Sequence, residues 1–448
     1  MASFLSLPSL LVLFLTITSP LAHSSSSKPP RSVHLPRTPV GFRIGLTRID
    51  HGRNLTKFQL VQRSIHRHKL RLERLVVVAT TVPTKGVMAP VFPGDGEFLT
   101  NFTIGSPAVP VSAIVDTGSD LIWTQCMPCT KCFDQPMPIF DPVKSSTLHN
   151  ISCTSKWCDD TSVFKCDHGC KYLYSYGDKS FTQGFLAKDT FGFEDSVSIH
   201  NVVFGCSVIN QGTGFANGSG LVGLGRGPLS LVSQLDIDKF SYCLTSIGED
   251  KTSPLLFGSL ANMNYSRRGS TPLVRNPQPS FYSFYYVSLK GITVGKTKVH
   301  IPKSSRKPKE DGSGGMILDS GTTLTYLDKD VFNTLKEEFT SQTKLGVSKP
   351  PGDVELDLCF DLPVAADVYG VQVPKLKLHF EGLDLELPVE NYMILGMHDG
   401  HGVGCLAMAA SNVGSFAILG NIAQQNLLVM HDLEKETVSF MHAQCDRL

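Results

Sequence analysis

Asp116-Thr117-Gly118-Ser119 and Asp319-Ser320-Gly321-Thr322 are near copies of each other within one chain. Each follows an apolar run, Ala113-Ile114-Val115 in the first case and Met316-Ile317-Leu318 in the second. Each therefore reads as a buried strand that delivers an Asp into a glycine turn. One Asp-Thr-Gly alone says little, because these are ordinary turn residues. The duplication constrains far more. An apolar-apolar-Gly element follows both copies at a similar distance, Leu221-Val222-Gly223 after the first and Ile418-Leu419-Gly420 after the second. A doubled lobe accounts for all four elements, and two carboxylates at the junction of similar lobes point to an acid–base pair.

The stretch from Ile114 to Cys132, reading Ile-Val-Asp-Thr-Gly-Ser-Asp-Leu-Ile-Trp-Thr-Gln-Cys-Met-Pro-Cys-Thr-Lys-Cys, resembles the pepsin-type aspartic endopeptidases, in their plant nepenthesin-like branch. The likeness continues through Tyr174-Ser175-Tyr176-Gly177-Asp178 and spans the chain from about Glu97 to Cys445. It implies an all-β, two-lobed pepsin-like acid protease fold with pseudo-twofold symmetry and a cleft between the lobes.

With 448 residues the chain suits two lobes plus removable segments. Residues 1–24 carry an apolar core, Leu7 to Ile17, followed by small and polar residues, the pattern of a signal peptide, although the usual Lys or Arg before the core is missing. That run is too short for a membrane span and no other run qualifies, so no membrane anchor is expected. Residues 25–88 read as a basic propeptide. Residues 1–79 hold twelve Lys and Arg against only Asp50 and Glu73, and subtraction from the totals of 41 and 40 leaves 29 against 38 beyond them. A basic leader on an acidic body could bind nucleic acid. In a secreted chain the better reading is intramolecular, with leader and body paired until acid neutralises carboxylates. Within the leader, Leu55, Phe58, Val61 and Ile65 fall at helical spacing, which fits a solvated amphipathic helix or, by the resemblance, an inhibitory prosegment.

Twelve cysteines in such a chain read as disulfides. Cys126, Cys129 and Cys132 also look like half of a zinc cluster, but an oxidising compartment favours bridges, and no metal or other cofactor is expected. Spacing does not fix the pairing. The resemblance implies Cys126–Cys129, Cys132–Cys206, Cys153–Cys170, Cys158–Cys166, Cys243–Cys445 and Cys359–Cys405. Asn-x-Ser/Thr sequons stand at Asn54 in the leader and at Asn101, Asn150, Asn217 and Asn264 in the body.

Beyond Glu97, short apolar or alternating runs (99–104, 111–115, 197–204, 285–294, 315–318, 375–380 and 437–441) are separated by Gly, Pro, Asn and Ser, which indicates an all-β protein. The best helix candidates are 229–235 and 328–340, the latter with Asp328 as N-cap. A Pro-rich stretch divides the body into a first lobe, 89–270, with the first Asp, the flap and a Cys-rich insertion, and a second lobe, 271–448, with the second Asp.

Peptide hydrolysis without a metal or covalent nucleophile needs a base for the water and an acid for the substrate, and two carboxylates that share a proton supply both. Asp116 and Asp319 are the candidate pair. Gly118 and Gly321 allow the tight turns. The resemblance has Thr117 and Ser320 bond across the lobes, and Ser119 and Thr322 hold the outer carboxylate oxygens. It also makes Tyr176, with Gly177 and Asp178, the tip of a flap that closes over the cleft toward Trp123. Lys179 and Phe181 follow and would shape specificity. The fourteen histidines are scattered and read as surface residues. These features imply a secreted, monomeric zymogen that cleaves polypeptides in acid and binds pepstatin-type inhibitors and its own propeptide, with the extracellular space or apoplast favoured over the vacuole. The rival is a catalytically silent binding protein on the same fold, as in plant xylanase inhibitors. Such relatives usually lose an Asp or its Gly, whereas both turns are intact here.

Overall fold

The apolar runs before the two Asp turns form the strands Val109–Asp116 and Met316–Leu318, each flanked in the same way. Gly220–Gly223 lies parallel to the first, with Gly223 opposite Asp116, and Ala417–Leu419 lies parallel to the second, with Leu419 opposite Leu318. A third strand then packs antiparallel, Trp123–Gln125 in one unit and Thr325–Leu327 in the other. Both central strands are buried on both faces, and such strands carry continuous rather than alternating apolar side chains. The repeat seen in the sequence is thus a repeat of three-stranded units.

The computed structural model describes residues 41–67, 98–158, 164–175, 181–211, 218–263, 269–352, 354–363, 371–411 and 416–448. The segment read as a signal peptide, 1–24, and the end of the segment read as a propeptide, 68–88, lie outside them. The molecule is all-β and two-lobed, with four sheets among the described residues. Its longest described helix, Lys329–Gln342, begins where Asp328 caps it by accepting from Asp330 N, and it turns Val331, Phe332, Leu335 and Phe339 into the core. The lobes share a sheet. Lys239–Cys243 pairs with Ser253–Gly258 on one side and with Leu427–Asp432, from the second half of the chain, on the other.

The leader contributes a strand that its basic character obscured. Gly41–Arg48 alternates buried and half-buried residues, with Phe42, Ile44 and Leu46 inward. It runs antiparallel to Ser253–Gly258 from Gly41 to Leu46, and then sets Thr47 and Arg48 opposite Leu99 and Phe98. One leader strand thereby splices the sheet shared by the lobes to the first-lobe sheet. Residues 57–67 are helical, as the apolar spacing predicts. The helix is not solvated on its apolar face. Phe58, Val61 and Ile65 are buried in a cluster with Tyr286, Ile317, Leu324 and Ile418, burial that contributes about 1.5–3 kcal/mol for each side chain.

The disulfides correct the expected pairing. Cys243–Cys445 and Cys359–Cys405 form as anticipated, but the others are Cys126–Cys206, Cys129–Cys132, Cys153–Cys166 and Cys158–Cys170. Bridging needs Cα atoms brought within about 7 Å of each other, and strand pairing decides which cysteines meet that condition. Trp123–Gln125 runs parallel to Ser198–Gln211 with Thr124 beside Cys206. Cys126, just past that strand, therefore sits 5.4 Å from Cys206, and Cys129 and Cys132 are left to join each other. In the second cluster Cys166 and Cys170 face each other in a hairpin, and each reaches back to a different cysteine of the preceding loop. All twelve cysteines are paired in these bridges.

Candidate active site

Asp116 and Asp319 leave their strands at equivalent points, and both are buried. In each turn the amide of the glycine two residues on donates back to the carboxylate, Gly118 N to Asp116 Oδ1 and Gly321 N to Asp319 Oδ1, both at 2.9 Å. The two turns touch. Thr117 Oγ1 and Ser320 Oγ lie 3.3 Å apart, and Ser320 N donates to Thr117 Oγ1 at 3.4 Å. Carboxylates from distant parts of the sequence are thus brought to one lobe junction, each held by a backbone donor.

The residues after the glycines are not equivalent. Thr322 Oγ1 donates to Asp319 Oδ2 at 2.6 Å, as the resemblance implied. Ser119 Oγ is buried but makes no hydrogen bond to Asp116 among the described residues. Threonine is branched at Cβ and stiff at χ1, whereas the unbranched serine is free to turn aside. Asn421, which the sequence reading passed over, buttresses the second turn, with Nδ2 on Ser320 O and its backbone N on Thr322 O at 2.6 Å. Leu224 N plays the matching part in the first lobe, donating to Asp116 O at 2.8 Å. Behind Asp319, burial and then the Asp319 charge push the Tyr242 phenol well above its ordinary range, and its hydroxyl donates to Gln424 Oε1 at 2.5 Å.

Tyr176, Gly177, Asp178 and Lys179 lie outside the described residues, but the strands on either side do not. Cys170–Ser175 and Phe181–Gly192 pair antiparallel with Ser175 opposite Phe181. Trp123 is buried in a cluster with Tyr172 and Tyr174 of that hairpin, and its ring meets Phe133 edge-on at 6.4 Å. Of the body sequons, Asn101 and Asn150 are exposed, whereas Asn217 and Asn264 lie outside the described residues.

Family models described as xylanase inhibitor N-terminal and xylanase inhibitor C-terminal match residues 98–259 and 284–442. The chain is 46% identical over 445 residues to aspartic proteinase nepenthesin-1 of Nepenthes gracilis, covering 99% of this chain and 98% of the relative. This chain belongs to the nepenthesin-like aspartic proteinases. Aspartic proteinase nepenthesin-2 of the same plant is 44% identical over 424 residues, 94% of each chain. Among solved structures, soybean Basic 7S globulin shares the fold at 19% identity, with a TM-score of 0.61 over 78% of this chain and 94% of the other. In this nepenthesin-like proteinase the leader helix also touches the second turn: Ser64 Oγ lies 2.6 Å from Thr323 Oγ1, beside Thr322.

Proposed function

We propose that this nepenthesin-like proteinase is a secreted endopeptidase, made as a zymogen, that hydrolyses peptide bonds in acid through a water activated by Asp116 and Asp319. The observation that carries the reading is the pair of matching Asp turns, each with its Gly amide on Oδ1 and the two joined through Thr117 and Ser320. Paired carboxylates do not both ionise easily, so they hold one proton between them. The ionised member takes a proton from the water, the protonated member donates to the scissile carbonyl, and the proton then passes to the leaving nitrogen. No metal, cofactor or covalent intermediate is required. Substrate would lie extended across the cleft, bound along its backbone and covered by the hairpin that carries Tyr176.

The zymogen reading draws on the leader. Its strand and helix bury apolar surface on the body, and Ser64 reaches the second Asp turn. A basic leader paired with the acidic body was the expectation. His51 reaches Asp250 of the body at 2.7 Å and Lys57 feels the charges of Glu390 and Glu249, while Arg53, Arg63 and Arg67 converge on the buried Asp50 of the leader itself. The apoplast is the favoured destination and a monomer the expected state. The test is to acidify the full-length protein and follow cleavage of an unstructured polypeptide from pH 2 to 7, with and without pepstatin. Pepstatin-sensitive cleavage confined to acid supports the reading. A correctly folded, leader-free protein that cuts nothing is instead a binding protein on this fold.

A further inference from the structure

Four residues after Asp116 the first lobe buries another carboxylate, Asp120, which is 3% exposed. The corresponding position in the second lobe, four residues after Asp319, is Thr323. The Asp120 carboxylate is fully engaged. Oδ1 accepts from Gly227 N at 2.7 Å, Oδ2 accepts from Ser283 Oγ at 2.5 Å, and the Tyr282 hydroxyl donates to it as well. The Gly223-Leu224-Gly225-Arg226-Gly227 loop is shaped around it. A Cβ on Gly225 or Gly227 would come within 2.4 and 2.2 Å of its oxygens, so neither position has room for a side chain.

The contacts extend toward the second turn. Gly225 N donates to Ser119 O, and Arg226 N donates to Ser283 O. Two residues beyond Ser283, Tyr285 O accepts from Leu318 N at 3.0 Å, one residue before Asp319, while Tyr285 OH donates to Leu224 O at 2.7 Å. A continuous run of bonds therefore leads from the Asp116 turn through Asp120 and the 282–285 segment to the strand that presents Asp319.

We propose that Asp120 is a positioning residue for hydrolysis: its carboxylate, acting through Ser283 and the 282–285 segment, sets the Asp116 turn in place against the strand carrying Asp319. The inference rests on Asp116 and Asp319 being the reacting pair. It also gives the pair an inequality that the duplicated motif conceals, because only one of the two turns has an ionisable neighbour at this position. Burial is the main influence raising the Asp120 pKa above the ordinary carboxylate range, its three hydrogen-bond donors oppose the rise, and Asp116 adds to it. The groups that face it are Asp116 on its own turn and Tyr282 and Tyr285 on the interlobe segment; Arg226 of the glycine loop lies against Tyr285 and is ion-paired with Glu436.

The test uses full-length protein activated in acid, assayed on one peptide, with folding checked by thermal unfolding. Asp120→Ala removes the clamp and is expected to lower kcat on the order of 100-fold while KM moves less than about threefold, since what is lost is alignment of the reacting groups. Asp120→Asn keeps the shape, an acceptor for Gly227 N and an amide for Ser283 Oγ. It should restore kcat to within about fivefold of wild type, again at unchanged KM. Ser283→Ala, which leaves the carboxylate in place, should lower kcat about tenfold at unchanged KM. Folded Asp120→Ala and Ser283→Ala proteins with wild-type kcat overturn the proposal, as does an Asn variant no better than Ala. A wild-type protein silent in the same assay overturns both this inference and the reading beneath it, whereas active wild type with unaffected variants overturns this inference alone.

Discussion

His431 lies in the sheet that joins the lobes, opposite Phe240 in the ladder, and has no exposed surface. Its ring stacks on Phe240 with centroids 4.5 Å apart and planes 4° from parallel, while the Tyr285 ring meets it edge-on at 4.5 Å. Neither ring nitrogen has a hydrogen-bond partner. Burial, aided by the Arg226 charge, pulls its pKa from 6.5 down to about 3. The sign follows from linkage. Above pH 6.5 the ring is neutral in both folded and unfolded chains and pH has no effect through it. As the pH falls from 6.5 toward 3, the unfolded chain takes up a proton that the folded chain refuses, so stability is lost. Each pH unit in that window costs about 1.4 kcal/mol, so by pH 3.5 the loss is about 4 kcal/mol. His431→Phe preserves the stack and removes the titration. In an Asp116→Asn background, chosen so that the protein does not digest itself, urea unfolding at pH 7 and pH 3.5 should show the Phe variant gaining about 4 kcal/mol on its parent between the two pH values. At pH 7 the substitution should be neutral or stabilising by about 1–2 kcal/mol, because two buried unbonded nitrogens disappear. Stability curves that run parallel from pH 7 to pH 3.5 would show that the buried ring accepts its proton in place, and the reasoning would fail.

Asp116→Asn and Asp319→Asn should each reduce cleavage by more than about a thousandfold, with thermal unfolding close to wild type; a folded Asn variant that still cleaves removes that residue from the chemistry. Thr322→Val, which deletes the 2.6 Å bond to Asp319, should lower kcat roughly tenfold to a hundredfold, whereas Ser119→Ala should change it less than about threefold; equal losses would mean the two hydroxyls act alike. Replacing both Cys243 and Cys445 by Ser opens a link between residues 202 apart and should cost about 4–5 kcal/mol in urea unfolding, and a loss below about 1 kcal/mol would contradict it.

What the sequence disclosed was local or repeated. The two Asp turns, the apolar strands that feed them, the Asp328 cap and the 57–67 helix all follow from patterns a few residues wide. What it concealed depended on partners far along the chain. Cys126 bonds Cys206 because two strands lie side by side, a fact absent from the three-residue spacing of its neighbours. The alternation of Phe42, Ile44 and Leu46 was present, but the basic residues around it pointed to charge pairing with the body and not to a strand. His431 passed for a surface residue because burial is a tertiary property. Asp120 was hidden for the opposite reason, lying inside a motif whose first four residues had already been assigned a purpose.

The strand Gly41–Arg48 also sets a timetable for synthesis. Leu46 leaves the ribosome long before its partner Ser253 exists, and at 5–20 residues per second the wait is about 10–40 s. The partner sheet needs Leu427–Asp432 as well, so it closes only near the end of translation, and Cys445 becomes available for Cys243 later still. For that interval the strand lacks the sheet partner along most of its length, and Phe42 lacks the Phe257 ring it stacks on. Lengthening this chain between Arg48 and Ser253 would prolong the exposure, while moving the strand to the carboxyl end by circular permutation would abolish it.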